Sequence, residues 1–405
     1  MNNLNQCPIC DSSHVEPLFS FNNFPFFTVP LPKDGKKRVL EKYTEKQLSA
    51  PLHVKTCTQC YHCWLNSIPD QEILHFLYSN YYSYPSPLKE QFEPERDNHF
   101  LEFFQKNKET ICNGDFSKHI LEVGCFDGYI LYHLQQQGFN VTGCDPSVGA
   151  EIGKTFGLNI QKEFFDPNNY LNNEIKFDIV ISRHFIEHTI NPNELILNLK
   201  SVLKNGGMLI LETPNIQHFL EKGLLEVFSL QHITLFTSKS LEYLMNRSGL
   251  EVLLIEKTPD NLIVLARKST PYKQISPNSF GNIINQFNRQ VIKNKKRIEY
   301  VIKDFINKES SIAIWGAGGF GIAALILYDI PPEKIEFYID SDHQKWGMEY
   351  LTNYIPIISP EEAKEKIPDL IIVASMYGNG ILKSTKNNGF HCPILLLSPR
   401  VLLHC

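Results

Sequence analysis

Residues 119–134, HILEVGCFDGYILYHL, contain the clearest signal for the fold of the middle of the chain. Its apolar run HILEVGC predicts a buried strand, which leads into a tight turn from Gly124 to Gly128 before a helix. Small residues in such a turn let the backbone approach a bound ligand closely. The next strand ends in Asp145, about twenty residues on, where a carboxylate can accept hydrogen bonds from the two ribose hydroxyls of an adenosine. Together these two features predict a cofactor cradle.

Six further apolar runs alternate with helical stretches from about residue 118 onward. This alternation predicts an open α/β sheet. The last two runs are joined by a turn too short for a helical crossover, so they predict an antiparallel hairpin that closes an otherwise parallel sheet. The six runs are NVTGCD (140–145), NIQKE (159–163), FDIVISRH (177–184), GMLILETPN (207–215), LEVLLIEKTPD (250–260) and NLIVLARK (261–268).

Residues 309–405 repeat the α/β pattern and predict a second, Rossmann-like domain. A polar stretch at 273–308 predicts a helix that connects the two domains. The first strand of the second domain leads into a turn whose glycines match G-x-G-x-x-G, and Asp340 ends the next strand. This motif alone is weak, and it leaves open a vestigial turn or a dinucleotide site. The predicted strands lie in SIAIWGAGGFG (311–321), IEFYIDSD (335–342), PDLIIVAS (368–375) and PILLL (393–397), and the glycines are Gly316, Gly318 and Gly321.

Four of the ten cysteines form two Cys-x-x-Cys pairs in a Phe- and Pro-rich arm, residues 1–70, which has little regular period. This spacing lets two thiolates take adjacent corners of a tetrahedral zinc. A closed site of four thiolates leaves no open coordination position, so the metal would stabilise the arm and perform no chemistry. The alternatives are four free thiols, a redox pair, or competition from His62 and Cys63 as ligands. The predicted ligands are Cys7, Cys10, Cys57 and Cys60.

The composition is that of a globular chain with several domains. A length of 405 residues allows two or three separate cores, and a formal net charge of -5 disfavours a nucleic-acid-binding surface, which usually carries a basic excess. No stretch approaches the roughly 20 apolar residues that cross a bilayer, and the first ten residues lack the basic region and apolar run of a signal peptide. We therefore expect a cytoplasmic protein that binds neither nucleic acid nor membranes.

The segment Glu122-Val-Gly-Cys-Phe-Asp-Gly, with Asp145 after it, resembles the first motif of class I S-adenosylmethionine-dependent methyltransferases. The family pattern is E/D-x-G-x-G with an acidic residue ending the second strand, and here its second glycine is replaced. An NAD-type turn would need three glycines and is disfavoured. The resemblance implies that residues 118–272 bind S-adenosylmethionine. The contact residues that it implies are Glu122, Gly124, Phe126, Asp127, Gly128 and Asp145, with Phe164 and Phe165 flanking the adenine.

The segment ISRHFIEHTINP, residues 181–192, ends the fourth predicted strand and is rich in polar groups. Ligands lie at this edge of doubly wound sheets. In the methyltransferase family this segment borders the methionine half of the cofactor, so the resemblance assigns Arg183, His184 and His188 to the cofactor wall. A zinc site of the two histidines, which have helical i, i+4 spacing, is the alternative, but the sequence shows no obvious third ligand.

The order of these parts resembles, over nearly the whole chain, the three-domain C-methyltransferases that act on nucleotide-linked deoxysugars. In that family a zinc-binding arm precedes a tyrosine-containing segment, and YSYPSP at 82–87 matches it in part. Residues 71–117 would then form a packed linker or a flap over the site, with Tyr82 and Tyr84 as candidate catalytic residues. The terminal domain of the family has a glycine turn and a proline-rich stretch, found here as GAGGFG and PIISPEEAKEKIPD. The resemblance implies that this domain encloses the nucleotide-sugar substrate, with Gly316, Gly318, Gly321 and Asp340 near it.

The stretch SLQHITLFT, residues 229–237, matches the Y-H-E-H region that closes the active site of this family. The resemblance assigns His232 to the base that removes a proton next to a ketone, so that the enolate carbon can attack the sulfonium methyl. A histidine has a suitable pKa for this step without perturbation. Gln231 replaces the family glutamate and cannot supply a negative charge. Either His232 acts with a tyrosine, or the substrate is more easily deprotonated, as in O- or N-methylation.

Overall fold

The computed structural model describes residues 6–81, 85–269, 283–306, 308, 310–375, 378–398 and 401–402. The strands are β1 (Val15–Pro25), β2 (Ser49–Cys57), β3 (Cys63–Leu65), β4 (His119–Val123), β5 (Asn140–Cys144), β6 (Ile160–Gln161), β7 (Phe177–Arg183), β8 (Leu203–Pro214), β9 (Thr234–Leu235), β10 (Leu250–Lys257), β11 (Asn261–Lys268), β12 (Ile312–Trp315), β13 (Ile335–Ile339), β14 (Ile357–Ile358), β15 (Leu370–Ala374), β16 (Ile394–Ser398) and β17 (Val401–Leu402).

The α-helices connect these strands and cover the sheets. They are α1 (Lys33–Lys42), α2 (Gln71–Asn80), α3 (Pro87–Glu90), α4 (Glu95–Lys106), α5 (Lys108–Cys112), α6 (Tyr129–Gln136), α7 (Gly149–Thr155), α8 (Asn168–Leu171), α9 (Pro192–Ser201), α10 (Ile216–Lys222), α11 (Ser238–Arg247), α12 (Ile283–Ile306), α13 (Gly319–Leu327), α14 (Pro360–Lys366) and α15 (Gly378–Asn387). Short 3-10 helices lie at Glu45–Leu48, Ile186–His188, Pro332–Lys334 and His343–Lys345.

The middle sheet has the strand order β10-β11-β8-β7-β4-β5-β6. Strand β11 runs antiparallel to both β8 and β10, and the other neighbouring pairs are parallel. The predicted α/β fold, a parallel sheet closed by an antiparallel hairpin, is therefore confirmed. The strand order reverses at β4, which has β5 on one side and β7 on the other. Ligands bind at such a switch point, beyond the carboxyl ends of the strands.

A second Rossmann-like sheet lies towards the end of the chain and has the order β14-β13-β12-β15-β16-β17. Its strands are parallel except for the last pair, β16 and β17. Strand β12 lies between β13 and β15, so this sheet also has a switch point at the end of its first strand. This confirms the prediction of a Rossmann-like α/β unit in the C-terminal part of the chain.

The cysteine arm contains more regular structure than its sequence indicates. Strands β1, β2, β3 and β9 form a four-stranded sheet, and β1 pairs with β2 over the whole of Val15–Pro25. The pairing of β1 is interrupted by register shifts between Pro17 and Phe19 and between Phe21 and Phe24. A β-bulge adds a residue and disturbs the alternation of buried and exposed side chains. The two interruptions explain why no period-2 pattern marks this strand.

The arm shares its core with the domains that follow it. Cys7, Cys57 and Trp64 are buried in one cluster with Phe236 and Leu241, which belong to the middle of the chain. On the other side of the arm, the ring of Phe228 stacks on Phe19 at 5.6 Å and contacts Phe287 of α12 at 6.1 Å. The arm therefore packs between the middle sheet and the later part of the chain rather than standing apart from them.

Two buried polar contacts also join the parts. The ammonium group of Lys36 in the arm donates to Glu349 Oε2 at 3.1 Å and to the carbonyl of Tyr350 at 2.9 Å. The hydroxyl of Tyr328, just after α13, donates to Glu226 Oε1 at 2.8 Å. Each contact ties the C-terminal domain to another part of the chain. In the part of the chain that the structure describes, no helix is both long and apolar enough to span a membrane.

We predict that Tyr328→Phe destabilises the protein by about 1–3 kcal/mol, because it removes the hydroxyl group that donates to the buried carboxyl of Glu226. Urea unfolding of the full chain measures this difference. Tyr300→Phe is the matched control, since Tyr300 is 81% exposed. Equal unfolding free energies for the two variants would show that the contact contributes nothing to stability.

Candidate functional site

The turn after β4 is shaped by three residues with positive φ angles and by the carboxylate of Asp145. Gly124 and Gly128 have φ values of +76° and +78°, and Phe126 between them has φ +51°. Asp145, at the end of β5, accepts hydrogen bonds from the N–H of Phe126 at 2.9 Å and of Ser147 at 2.8 Å. An ionised carboxylate has about four acceptor positions, so Asp145 can hold the turn and still accept hydroxyl groups of a ligand.

Asp127 is engaged with the protein itself. Its Oδ2 accepts from Ser86 Oγ at 2.5 Å and from the N–H of Leu88 at 3.1 Å, and its Oδ1 accepts from the N–H of Tyr129 at 3.1 Å. These bonds fasten the short helix α3 to the turn. Asp127 therefore lies at the predicted position, but its observed partners give it a role in closing the cradle, and direct contact with a ligand stays a prediction.

Glu122 is buried in the cradle, as are Asp127 and Asp145. Its side chain is almost fully buried, and Oε2 has no hydrogen-bond partner in the described structure. Burial raises the pKa of Glu122 to about 8, although the nearby Arg183 favours the ionised form. A buried carboxyl oxygen without a donor is unfavourable unless a ligand supplies one. Glu122 is thus suited to receive a cationic or donor group of a ligand.

The two phenylalanines expected to flank the adenine differ in exposure. Phe164 is 49% exposed, and its ring lies 5.1 Å from that of His75 in α2. Phe165 packs against the buried hydrophobic core, with its ring 6.2 Å from Tyr170. Of these two rings, Phe164 presents the larger apolar surface to solvent. A stacking role for Phe164 stays a prediction, while Phe165 is placed to support the wall behind it.

An ion network that the sequence did not reveal holds the end of β7. Arg183 donates to Glu212 Oε2 and to Asp97 Oδ1, both at 2.7 Å, and its guanidinium lies 4.5 Å from the centroid of the Phe100 ring. Although burial opposes charge on both groups, the arginine lowers the pKa of Glu212 below its usual range. Asn261 donates to the second oxygen of Glu212. Arg183 is therefore committed to a structural network beneath the site.

His184 and Glu187 form the next layer of this edge. His184 Nδ1 donates to Glu187 Oε1 at 3.2 Å, and Thr213 Oγ1 donates to Glu187 Oε2 at 3.1 Å. Burial opposes the charge on Glu187, but the hydrogen bond and the charge of His184 lower its pKa to about 2. The carboxylates of Glu212 and Glu187 outweigh burial and raise the pKa of His184. Glu187 is thus a buried, ionised carboxylate.

His188 and His232 lie together above Glu187. Their ring centroids are 5.2 Å apart. His188 Nδ1 is 2.9 Å from the carbonyl oxygen of Gln231, and His232 Nδ1 is 2.8 Å from that of Val227. Since a carbonyl oxygen only accepts, both rings carry their hydrogen on Nδ1 and a lone pair on Nε2. Burial lowers the pKa of His188 to about 4 and also lowers that of His232.

The side chain of Gln231 is bonded to the arm. Its Nε2 donates to the carbonyl of Phe26 in the arm at 3.3 Å, and its side chain is buried. A glutamate at this position would place a carboxylate oxygen against the carbonyl oxygen of Phe26, and both atoms only accept hydrogen bonds. An amide can donate to that carbonyl, so it suits this position. The observed contact is structural, so a catalytic role for Gln231 stays a prediction without support from its partner. Tyr82 and Tyr84 lie outside the described residues.

The arm fixes the segment that carries His232. Strand β9 pairs with β3, and the N–H of Leu65 donates to the carbonyl of Ile233 at 2.9 Å. Thr237 Oγ1 donates to the carbonyl of Cys60 at 3.2 Å. On the other side, the N–H of Ile233 donates to the carbonyl of Glu187 at 2.7 Å. His232 is therefore held between the cysteine arm and the end of β7.

The four predicted zinc ligands converge. Sγ of Cys7 lies 3.5 Å from Sγ of Cys60, and Sγ of Cys10 lies 3.5 Å from Sγ of Cys57. All four sulfurs lie within 4.8 Å of one another, and three of these cysteines are buried. Four thiols so placed fit a tetrahedral zinc.

The two competing ligands do not join this group. Cys63 donates to Thr56 Oγ1, and the ring of His62 lies between Trp64 and Phe236 with neither nitrogen hydrogen-bonded in the described structure. The group that converges within 4.8 Å contains neither residue. The arm can therefore hold a metal with its two Cys-x-x-Cys pairs alone.

The glycine turn of the C-terminal domain is built like the first cradle. Asp340 Oδ2 accepts from the N–H of Ala317 at 2.8 Å, and Lys345 Nζ lies 3.1 Å from the same oxygen. A Cβ on Gly321 would lie 2.1 Å from the carbonyl oxygen of Gly316, so the turn packs backbone on backbone. Space beside Gly318 is open, since a Cβ there would meet nothing within 4 Å. The start of α13 is thus accessible to a ligand.

Comparison with known proteins matches both α/β parts. Residues 93–255 match a family model described as a methyltransferase domain, and residues 280–388 match one described as a C-methyltransferase C-terminal domain. The ubiquinone biosynthesis O-methyltransferase of Rickettsia bellii (strain OSU 85-389) is 29% identical over 158 residues, which are 38% of this chain and 58% of that relative. The enzyme of the same name from Rickettsia felis (strain ATCC VR-1525 / URRWXCal2) is 38% identical over 117 residues, 27% of this chain and 46% of the relative.

The chain thus spans about half the length of the curated relatives it matches. Among solved structures, magnesium protoporphyrin IX methyltransferase from Synechocystis PCC 6803 with bound SAH is 15% identical with a TM-score of 0.39, over 49% of this chain and all of that one. The PH0226 protein from Pyrococcus horikoshii OT3 has a TM-score of 0.36 and is also 15% identical, over 48% of this chain and 95% of that one. The sequence match and the strand order together show that the middle of this chain is a methyltransferase domain with the class I α/β fold.

We predict that Cys57→Ser loosens the segment that carries His232. Strand β9 is held by β3, and Thr237 is held by the carbonyl of Cys60. Both contacts lie at the second Cys-x-x-Cys pair, which Cys57 begins. Hydrogen exchange at the Leu65 amide should become at least roughly tenfold faster, about 1.4 kcal/mol of local opening. The Gly124 amide, which donates to Cys144 in the middle sheet, should not change. Cys392→Ser is the control, and unchanged protection of Leu65 in Cys57→Ser would contradict this coupling.

Proposed function

We propose that the protein transfers a methyl group from S-adenosylmethionine to a carbon of a nucleotide-linked 4-keto-deoxysugar. The observation that carries this proposal is the position of His232: a half-buried imidazole at the carboxyl edge of a methyltransferase sheet, held against the cysteine arm in a chain whose later part matches a C-methyltransferase C-terminal domain. Such a transfer needs a base, a bound sulfonium and a site that excludes water. Different parts of the chain would meet these three needs.

The turn after β4 would hold S-adenosylmethionine. Asp145 has acceptor capacity for the ribose hydroxyls, and the unpartnered oxygen of Glu122 fits a cationic group of the methionine part. Phe164 offers an exposed ring to the adenine. When bound, this cofactor supplies an electrophilic methyl group on a sulfonium. The chain's own contribution is to orient the accepting carbon towards that methyl, and orientation of this kind contributes roughly 7–11 kcal/mol in favourable cases.

His232 would accept the proton from the carbon next to the ketone. Its Nδ1–H is fixed on Val227, so the lone pair of Nε2 is available to a substrate. Because burial lowers the pKa of His232, the ring stays neutral, and therefore able to act as a base, to lower pH than an exposed histidine. After proton transfer the ring is cationic, and the buried carboxylate of Glu187 supplies the negative charge that Gln231 cannot.

The C-terminal domain would enclose the nucleotide. Gly316, Gly318 and Gly321 shape the turn before α13, where backbone N–H groups at a helix N-terminus favour phosphate. Asp340 is already bonded to Ala317 and paired with Lys345, so its proposed role is to hold this turn in shape. The four cysteines would hold a structural zinc, which fits their convergence and leaves no position for chemistry.

O-methylation of a small metabolite is the second candidate. The observation that favours it is the similarity of the middle domain to ubiquinone biosynthesis O-methyltransferases, together with the loss of the glutamate at position 231. A hydroxyl group is easier to deprotonate than a carbon next to a ketone, so O-methylation needs a weaker base. O-methylation of a small metabolite would give no role to the C-terminal domain, which matches a C-methyltransferase model.

We predict that S-adenosylmethionine binding at pH 7 releases a proton from Glu122. The pKa of the buried carboxyl is raised to about 8, so it is protonated at pH 7, and a cationic group placed against it favours the ionised form. Isothermal titration calorimetry in two buffers of different ionisation enthalpy measures the release, which should vanish by about pH 9. Asp145→Asn should weaken binding but keep the release, whereas Glu122→Gln should abolish it; equal release from Glu122→Gln would contradict the assignment.

Product analysis tests the proposed reaction. The purified chain is incubated with methyl-deuterated S-adenosylmethionine and a panel of nucleotide-linked 4-keto-6-deoxysugars, and the products are examined by mass spectrometry. We expect a labelled methyl that survives hydrolysis of ethers and esters, together with loss of the proton on carbon 3. Transfer to an oxygen or nitrogen instead, or no transfer to any keto sugar while the cofactor still binds, would contradict C-methylation and favour the second candidate.

A further inference from the structure

The first turn of α13, in the C-terminal domain, has backbone donors without acceptors. Its N-cap residue is Gly318, so no side chain caps the helix. Among the described residues, none accepts from the N–H groups of Gly319 and Phe320. Such groups at a helix start are satisfied by a cap, by water or by a ligand, and the positive end of the helix favours an anion.

A threonine of the cysteine arm lies against this turn. A Cβ added to Gly319 would lie 3.2 Å from Thr28 Oγ1, and the next two nearest atoms also belong to Thr28. Thr28 is only 7% exposed, yet its hydroxyl makes no hydrogen bond to any described residue. A side-chain hydroxyl in so enclosed a position is normally hydrogen-bonded. An unpartnered hydroxyl and the unpartnered start of a helix therefore lie side by side.

The segment that carries Thr28 is held on both sides by other contacts. The carbonyl of Phe26, two residues earlier, accepts from Gln231 Nε2 at 3.3 Å. Three residues later, Leu31 and Glu349 exchange two backbone hydrogen bonds, of 2.8 and 2.9 Å. The position of the Thr28 hydroxyl is thus fixed by its neighbours, and little ordering is needed when a ligand binds there.

The turn before α13 is also fixed from the side of the C-terminal domain. The hydroxyl of Tyr350 donates to the carbonyl of Gly318 at 3.1 Å. The carboxylate of Asp340 accepts from the N–H of Ala317 at 2.8 Å and from Lys345 Nζ at 3.1 Å. Because the charge of Asp340 is paired with Lys345, its repulsion of an anion at this turn is reduced.

We propose that Thr28 is a substrate-recognition residue, whose hydroxyl donates to a phosphate oxygen of the nucleotide-linked sugar at the start of α13. Backbone N–H groups and a hydroxyl can all donate to one phosphate, and hydrogen bonds to a charged acceptor are the stronger kind. The phosphate would thus bridge the arm and the C-terminal domain. This inference rests on the proposed function, which supplies the nucleoside diphosphate. A sugar without its nucleotide lacks the group that Thr28 recognises.

Isothermal titration calorimetry of the full chain tests this role without reference to methyl transfer. The probes are UDP, dTDP and inorganic pyrophosphate, which separates the contribution of the phosphates from that of the base. We expect the parent chain to bind at least one nucleoside diphosphate. Thr28→Val, which keeps the shape of the side chain, should bind it at least about tenfold more weakly, as for a lost hydrogen bond to a charged group. Thr28→Ser keeps the hydroxyl and should restore most of the affinity.

Two controls separate this contact from a general loss of structure. Thr385→Val removes another buried hydroxyl of the C-terminal part, one that donates to the carbonyl of Leu382 in its own helix, and should bind nucleoside diphosphates like the parent chain. S-adenosylmethionine carries no phosphate, so its affinity should be the same in Thr28→Val as in the parent chain.

The outcomes distinguish this inference from the proposed function. Equal nucleoside diphosphate affinity in the parent chain and Thr28→Val overturns the role of Thr28, while C-methylation of a keto sugar would still support the proposed function. A parent chain that binds S-adenosylmethionine but no nucleoside diphosphate overturns the phosphate site. If nucleoside diphosphate binding depends on Thr28 but no keto sugar receives a methyl group on carbon, the site stands and the proposed reaction fails.

Discussion

The pairing of β3 with β9 is the contact on which the arrangement of the site depends. Strand β3 begins three residues after Cys60, and β9 begins two residues after His232. Two elements separated by about 170 residues are thereby placed side by side, and the intervening methyltransferase sheet supplies the opposite wall through the bond between Ile233 and Glu187. A short strand pair is marginal by itself, so its persistence requires an ordered arm.

The charged and titratable side chains of the site lie in two layers. The lower layer is a closed set of ion pairs, in which Arg183 is shared between Glu212 and Asp97. The upper layer, with Glu187, His188 and His232, carries one negative charge beside two imidazoles whose burial favours the neutral form. A neutral base beside a fixed carboxylate can take a proton and keep the resulting charge paired. This explains how Gln231 can serve as a link to the arm without loss of charge from the site.

Much of this fold could be predicted from the sequence, because strands of a parallel sheet are short apolar runs whose ends are marked by turns. The runs from His119 to Lys268 and the glycine turn near Gly124 were recognisable for that reason. The cysteine spacing predicted the convergence of four sulfurs. Strand β1 was hidden by its bulges, and β9 has only two residues, too few to show a period. The partners of Gln231 and Arg183 depend on distant contacts with Phe26 and Asp97, which no local pattern encodes.

Solvent exchange at carbon 3 of the substrate measures whether His232 acts as a base. The full chain is mixed with S-adenosylhomocysteine and a nucleotide-linked 4-keto-6-deoxysugar in D₂O, and loss of the carbon 3 proton signal is followed by NMR. If His232 is the base, the parent chain exchanges this proton, and His232→Ala exchanges it at least roughly a hundredfold more slowly, as expected for removal of a general base. Exchange at the same rate in both proteins would contradict it.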